Sequence, residues 1–124
     1  APAEPSAAND SIGIGYDAAD ANTGNWQLIT RSTTATTKTD LGAGAARNAT
    51  DIYDVYIFAP PNASNVTVRV VNLSTGNVVL DDSVLTTNLP AATAFLRPHA
   101  MCGPAASSTA TQFELNRIYL ESDY

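Results

Sequence analysis

Two stretches near the middle of the chain have the residue types of β-strands, and the second of them also alternates apolar and polar positions. Residues 52–59 (IYDVYIFA) and 66–73 (VTVRVVNL) are rich in β-branched and aromatic side chains, which favour strands. A cluster of Pro, Asn and Ser separates them at 60–65, and such residues favour turns. This pattern predicts a β-hairpin at the centre of the fold. Because residues 52–59 carry large groups on both faces, this strand is predicted to be central or covered on both sides.

Strand-like patterns continue on either side of this hairpin. Further strands are predicted at 11–16, 26–31, 33–39, 77–85, 91–97 and 111–121. The strand at 77–85 is expected to bulge at Asp81 and Asp82, and the glycines of the first strand would let another backbone approach closely. No stretch shows a helical period. Seven or eight strands with these turn spacings predict an all-β fold, an antiparallel β-sandwich of jelly-roll or lectin-like type.

The chain of 124 residues is long enough for one domain with its own core. Residues 1–10 are rich in Pro, Ala and Ser. They predict an extended N-terminal arm, either disordered or docked on a neighbouring subunit, that precedes a single β-sandwich domain at 11–124. The long polar stretch at 32–50 is of the kind that often contacts a partner. The candidate protein-contact residues are therefore Ala1, Pro2, Pro5, Leu41 and Arg47.

Charge and hydropathy exclude two classes of partner. The net charge is −6, and the six Lys and Arg residues are scattered along the chain, whereas binding to nucleic acid requires a clustered basic surface. No apolar run approaches the roughly 20 residues of a membrane span. The first residues contain neither the basic nor the apolar region of a signal peptide. We therefore expect neither a nucleic-acid nor a membrane partner.

No set of catalytic residues can be identified in the sequence. The single Cys102 and the single His99 cannot build a zinc site, and no motif assembles a serine or cysteine triad. The pairs Asp51/Asp54 and Asp81/Asp82 match a glycosidase carboxylate pair by residue type alone, and solvated acids or acids at subunit contacts are favoured instead. We expect a protein that is not an enzyme and has no cofactor or metal.

Two features leave alternatives open. The loop at 17–25 contains Asp and Asn residues of the type that bind calcium, but it lacks the Gly and the terminal Glu of an EF-hand loop. Trp26, the only tryptophan, is predicted to anchor the core, and an exposed platform for stacking on sugars is the alternative.

Two blocks of sequence resemble a known family. The first is 51–76, with D-x-Y-D-V, F-A-P-P-N and R-V-V-N-x-S-T-G, and the second is 87–124, with T-N-L-P, F-L-R-P and the closing I-Y-L-E-S-D-Y. Together with W-Q-L at 26–28, they resemble a β-sandwich domain of tailed-bacteriophage virion proteins, which occurs in decoration, neck and fibre components. The resemblance implies a domain that assembles on the virion surface, often as a trimer, and it brings no catalytic residues.

The short chain, without a coiled coil or fibre repeat, and its arm-like N-terminus favour one member of that family. We expect a capsid decoration (cement) protein that binds and stabilises the head shell. Its expected partners are the major capsid protein or other virion proteins and further copies of itself, as a homotrimer. Its expected location is the exterior of the phage particle, on the head rather than the tail. The alternative is a receptor- or glycan-binding domain of a tail or neck fibre.

Overall fold

The computed structural model describes residues 4–17, 20, 24–61, 63–94, 96–100 and 114–121. Within these ranges the chain forms strands joined by loops and short 3-10 turns. The strands are β1 (Ser11–Gly15), β2 (Gln27–Arg31), β3 (Thr36–Asp40), β4 (Tyr53–Phe58), β5 (Val66–Asn72) and β6 (Asn77–Leu85), and the 3-10 turns are Pro5–Ala7 and Ala43–Ala45. No helix in the described ranges is long and apolar enough to span a membrane.

The strands form two antiparallel sheets of three strands each. Their orders are β1-β2-β3 and β4-β5-β6, so each sheet is a meander of consecutive strands. This arrangement confirms the predicted all-β class and is consistent with a small β-sandwich. The number of strands is six in the described part of the chain rather than seven or eight.

The core lies between the two central strands, β2 and β5. Leu28 of β2 forms one buried cluster with Val66, Val68 and Val70 of β5. Burial along β5 alternates from Val66 to Asn72, as expected for a strand with one face on a core. The partly buried apolar side chains around this cluster are Ile12, Ile14, Leu41, Tyr53, Val55, Val79, Leu80, Leu85 and Leu89.

Strand β2 is buried on both faces because the N-terminal turn covers the face that points away from the core. Ile29 lies on that face, and a Cβ atom added to Gly15 would lie 3.4 Å from its Cδ1 and 3.2 Å from the Cβ of Pro5. The missing side chain of Gly15 therefore gives the turn room to approach the sheet. The atoms that come close belong to the side chains of Pro5 and Ile29, rather than to another backbone as predicted. The neighbouring Gly13 has open space at its Cβ position.

The predicted bulge in β6 is confirmed. Where β5 runs from residue 68 to 70, β6 runs from 83 to 80, so Asp81 and Asp82 stand opposite the single residue Arg69. Asp82 has a φ of 38°, in the left-handed region that L-residues adopt only at some cost. The guanidinium of Arg69 lies 3.6 Å from the carboxylate of Asp81.

Two strand predictions are wrong for the residues that the structure describes. Residues 91–94, 96–97 and 114–121 form no strand. The hairpin was predicted to be central, but only its second strand is: β5 lies in the middle of its sheet, whereas β4 lies at the edge. An alternating pattern shows that a segment is suited to a sheet, but a strand forms only where a neighbouring backbone supplies hydrogen bonds.

Candidate interaction surfaces

The described part of the predicted N-terminal arm lies against the first sheet of its own chain. Arg31 donates from Nη1 to the carbonyl oxygen of Ser6 and from Nε to the side-chain oxygen of Asn9, both at 2.9 Å. Pro5 packs over Gly15. Ala1 and Pro2 lie outside the described residues, so a partner contact there stays a prediction.

A buried carboxylate connects this turn to the opposite edge of the sheet. Asp17, only 6% exposed, accepts hydrogen bonds from the backbone N–H of Ser6 at 3.0 Å and from the Ser6 hydroxyl. The ammonium of Lys38 on β3 lies 2.5 Å from Asp17 and 2.7 Å from Asp20. The charged cluster therefore joins the N-terminal turn, the loop after β1 and strand β3.

The electrostatics of this cluster are those of a structural ion pair. Burial acts to raise the pKa of Asp17, but hydrogen bonds from Lys38 and Ser6 outweigh it and hold the pKa below its ordinary 3.8. Burial acts to lower the pKa of Lys38, but hydrogen bonds to Asp17 and Asp20 outweigh it and hold the pKa above its ordinary 10.5. Both groups therefore keep their charged forms across neutral pH.

In the loop at 17–25, which was considered as a calcium site, the acidic side chains bind the ammonium group of Lys38 instead. Asp17 and Asp20 both face Lys38, and Asn25 donates to Asp40 at 3.4 Å. Asn22 lies outside the described residues. No group of three or more His, Cys, Asp or Glu side chains in the described ranges could hold a metal ion.

Asp51 organises the loop that precedes β4. It accepts hydrogen bonds from Asn48 at 2.9 Å, from Asn72 at 3.0 Å and from the hydroxyl of Tyr53 at 3.3 Å. The bonds from Asn48 and Asn72 hold the pKa of Asp51 below its ordinary 3.8. This carboxylate is therefore used within the fold as an ionised acceptor.

Arg47 and Trp26, two residues singled out from the sequence, meet at Tyr16. The guanidinium carbon of Arg47 lies 3.6 Å from the centre of the Tyr16 ring. The Trp26 ring meets that ring edge-on, with the ring centres 5.7 Å apart. Nε of Arg47 is buried and has no hydrogen-bond partner among the described residues. Trp26 is half-buried, so this cluster presents part of an indole to solvent.

The predicted contact residue Leu41 also has a role inside the fold. Its side chain is half-buried and packs against the core cluster, and its N–H donates to the carbonyl of Trp26 at 3.0 Å. The exposed residues of this region are its neighbours Ala43 and Gly44 and the stretch 48–50. A contact through this loop would therefore use those positions more than Leu41 itself.

A small cleft of about 150 Å³ lies between β2, β3 and the end of β6. Threonines provide most of its lining, and the Thr30 hydroxyl closes one side by donating to the carbonyl of Thr87 at 3.1 Å. Pockets for small ligands usually have volumes of roughly 300–1,000 Å³. The size of the cleft therefore gives no support for a ligand site.

The outer face of the second sheet exposes large apolar side chains. Pairing in register places these residues on the face opposite to the core, and Phe58 among them is 58% exposed. We call this surface the outer patch, and its members are the exposed Tyr56, Phe58, Val78 and Val84 and the half-buried Val71. Thr67 and Arg69 lie among them on the same face. Large exposed apolar side chains gathered on one face are typical of interaction sites in soluble proteins.

Strand β4 is an edge strand that exposes apolar groups on both faces. Tyr56 and Phe58 lie on the outer patch, while Ile57 points to the other face and is still 46% exposed. The pattern of 52–59 predicts a strand that is central or covered on both sides, whereas the described part of the chain leaves β4 at an edge and exposed. Natural edge strands are usually blunted by charge, proline or covering segments. This contrast between pattern and environment identifies β4 as a candidate interface.

The C-terminal residues 114–121 are a second uncovered apolar element. They form no strand and every one of them is exposed, including Tyr119 at 76%. Arg117 lies near Tyr56. A hydrogen bond to Asp54 raises the pKa of the Tyr56 phenol above its ordinary 10.0, and the charge of Arg117 acts in the opposite direction. The segment is therefore close to β4 without being paired to it.

Comparison with protein-family models, with curated proteins and with solved structures finds no match for this chain.

Proposed function

We propose that the chain is a non-enzymatic structural protein of a tailed-phage virion, and specifically a decoration (cement) protein that binds and stabilises the head shell. The observation that carries the proposal is the pair of uncovered apolar elements, the outer patch with strand β4 and the segment 114–121. A domain of this size with that much apolar surface in water is suited to burying it against neighbours. The resemblance of 51–76 and 87–124 to virion domains supports a phage particle as the assembly that the chain joins.

The proposed mechanism is stabilisation through buried surface. A protein that binds across the junctions between major capsid proteins must lose its contacts before the shell can open. Each specific interface of standard size buries about 1,600 Å², and many copies around one head add their contributions. The net charge of −6 and the scattered basic residues direct these contacts to protein rather than to nucleic acid.

The location on the particle can be tested by counting copies. Quantitative mass spectrometry of purified virions that carry this protein should give hundreds of copies per particle, in proportion to the major capsid protein. Heads from which the protein has been removed should open at a lower temperature than complete heads. A few copies per particle, recovered with isolated tails, would contradict the decoration role.

One observation favours a second candidate function, a receptor- or glycan-binding domain. The half-buried Trp26, the ring of Tyr16 and the guanidinium of Arg47 form a single cluster, and aromatic rings with an adjacent donor are suited to stacking on sugars. If this function is correct, the purified protein binds glycans on an array and Trp26→Ala weakens that binding at least about tenfold, the equivalent of 1.4 kcal/mol.

The matched control for this test is Tyr119→Ala, which removes an exposed aromatic ring that is not a member of the cluster. Equal binding by the two variants, or no glycan binding by the wild-type protein, would eliminate the second candidate.

A further inference from the structure

Strand β4 has the features of a strand that lacks its neighbour. It pairs with β5 along one side, in an unbroken register from Tyr53 to Phe58, and no strand among the described residues pairs with its other side. Its apolar side chains are exposed on both faces. A strand added to this edge would satisfy the backbone groups of β4 and would flank Tyr56 and Phe58 on one face and Ile57 on the other.

The segment 114–121 has the length and the pattern of such a strand. It spans eight described residues, and β4 has six. In an extended conformation, alternate residues point to opposite faces. Leu115 and Tyr119 then lie on one face, with Ile118 and Leu120 on the other, so both faces are apolar, as on β4.

The same segment of the same chain does not close this edge. It lies near enough to Tyr56 for Arg117 to influence the phenol, yet all of its described residues remain exposed and unpaired. A strand tethered to its own sheet competes at a high effective concentration, so a suitable geometry within one chain would be expected to form. In the described part of the chain both elements are open, which leaves the edge of β4 available to a strand from another chain.

We infer that the C-terminal segment 114–121 of a second copy of this chain adds as a strand to the exposed edge of β4. The added strand joins the subunits through main-chain hydrogen bonds and through the apolar side chains on both faces of the new pair. The inference specifies how copies of the chain associate. It does not rest on the virion role, because association of the purified protein and copy number on particles are measured separately.

Point variants of the full chain test the two surfaces in solution. The wild-type protein should be an oligomer at micromolar concentration by light scattering coupled to size exclusion. Ile118→Asp and Phe58→Asp should each weaken self-association at least about tenfold, because a carboxylate would be buried in the new sheet. Both side chains are exposed in the single chain, so circular dichroism should show that each variant remains folded.

Leu96→Asp is the matched control, since Leu96 is equally exposed but lies in neither element. It should associate like the wild type. A wild-type protein that is monomeric, or an Ile118→Asp variant that associates as strongly as the control, would overturn the inference.

Disulfide trapping distinguishes exchange between chains from closure within one chain. Because Cys102 is the single cysteine, Cys102→Ser gives a cysteine-free background for Ile57→Cys and Ile118→Cys. Mixing these two variants, each with a tag of different size, should give a cross-linked pair that contains both tags after mild oxidation. A chain with both substitutions that cross-links only within itself, or mixed chains that do not cross-link, would show that the inference is wrong.

Discussion

Replacing Leu28 by Ala should lower the free energy of unfolding by about 3 kcal/mol, within the range seen when a buried leucine is truncated. Leu28 is 3% exposed and is the one fully buried residue of the first sheet in the cluster that joins the two sheets. The truncation leaves a void against Val68 and Val70, which have no exposed surface. For a domain of this size, the melting temperature should fall by roughly 10 °C.

The matched control is Leu73→Ala, which removes the same atoms from an exposed position in the turn between β5 and β6. Its free energy of unfolding should stay within about 0.5 kcal/mol of the wild type in urea titrations. Equal losses in the two variants would mean that the sheets are not held together through Leu28.

Acid should destabilise the protein through Asp17. The folded-state pKa of this group lies below its ordinary 3.8, so its contribution is fully present above that value and is lost as the pH falls below it, through the folded-state pKa. Asp17→Asn removes this contribution. We expect a loss of about 1–3 kcal/mol at neutral pH and a weaker dependence of stability on pH below about 4.

Urea titrations from pH 2 to 7 measure this effect. Asp51 also has a lowered pKa, so the Asp17→Asn variant should retain some sensitivity to acid. Asp81→Asn is the control, because the Asp81 side chain is 75% exposed and its substitution should change stability little. A pH profile of Asp17→Asn that parallels the wild-type profile would contradict the ion pair with Lys38.

The contribution of this ion pair to the free energy of unfolding should also be lost at strongly alkaline pH, which urea titrations in that range would measure. The folded-state pKa of Lys38 lies above its ordinary 10.5, so its contribution is present below that value and is lost as the pH rises through the folded-state pKa.

The meander of the second sheet could be predicted from sequence because its information is local. The alternation in β5 gives its buried face directly, and the two adjacent acids at Asp81 and Asp82 mark the bulge. The Asp17 cluster could not be predicted in the same way. Its partners Ser6 and Lys38 lie 11 and 21 residues away in the chain, and nothing in the local pattern specifies which residues meet.

The candidate interface at β4 could be predicted only in part from the sequence, for a related physical reason. The pattern of 52–59 indicates a strand with apolar groups on both faces, but it does not say which segment covers them. The roles expected for Pro5, Leu41 and Arg47 came from residue type and loop length. The structure gives each of these three a contact inside its own chain, with Gly15, the core and Tyr16 respectively. Partner contacts through these residues stay predictions.

The bulge in β6 makes the two edges of the second sheet unequal. At β4 the backbone is regular, whereas at β6 the extra residue, the positive φ of Asp82 and the adjacent carboxylates interrupt it. A sheet that can be extended from one side only cannot stack edge to edge without limit. We therefore expect copies of the protein not to polymerise through direct pairing of the β4 edge of one copy with the β6 edge of the next.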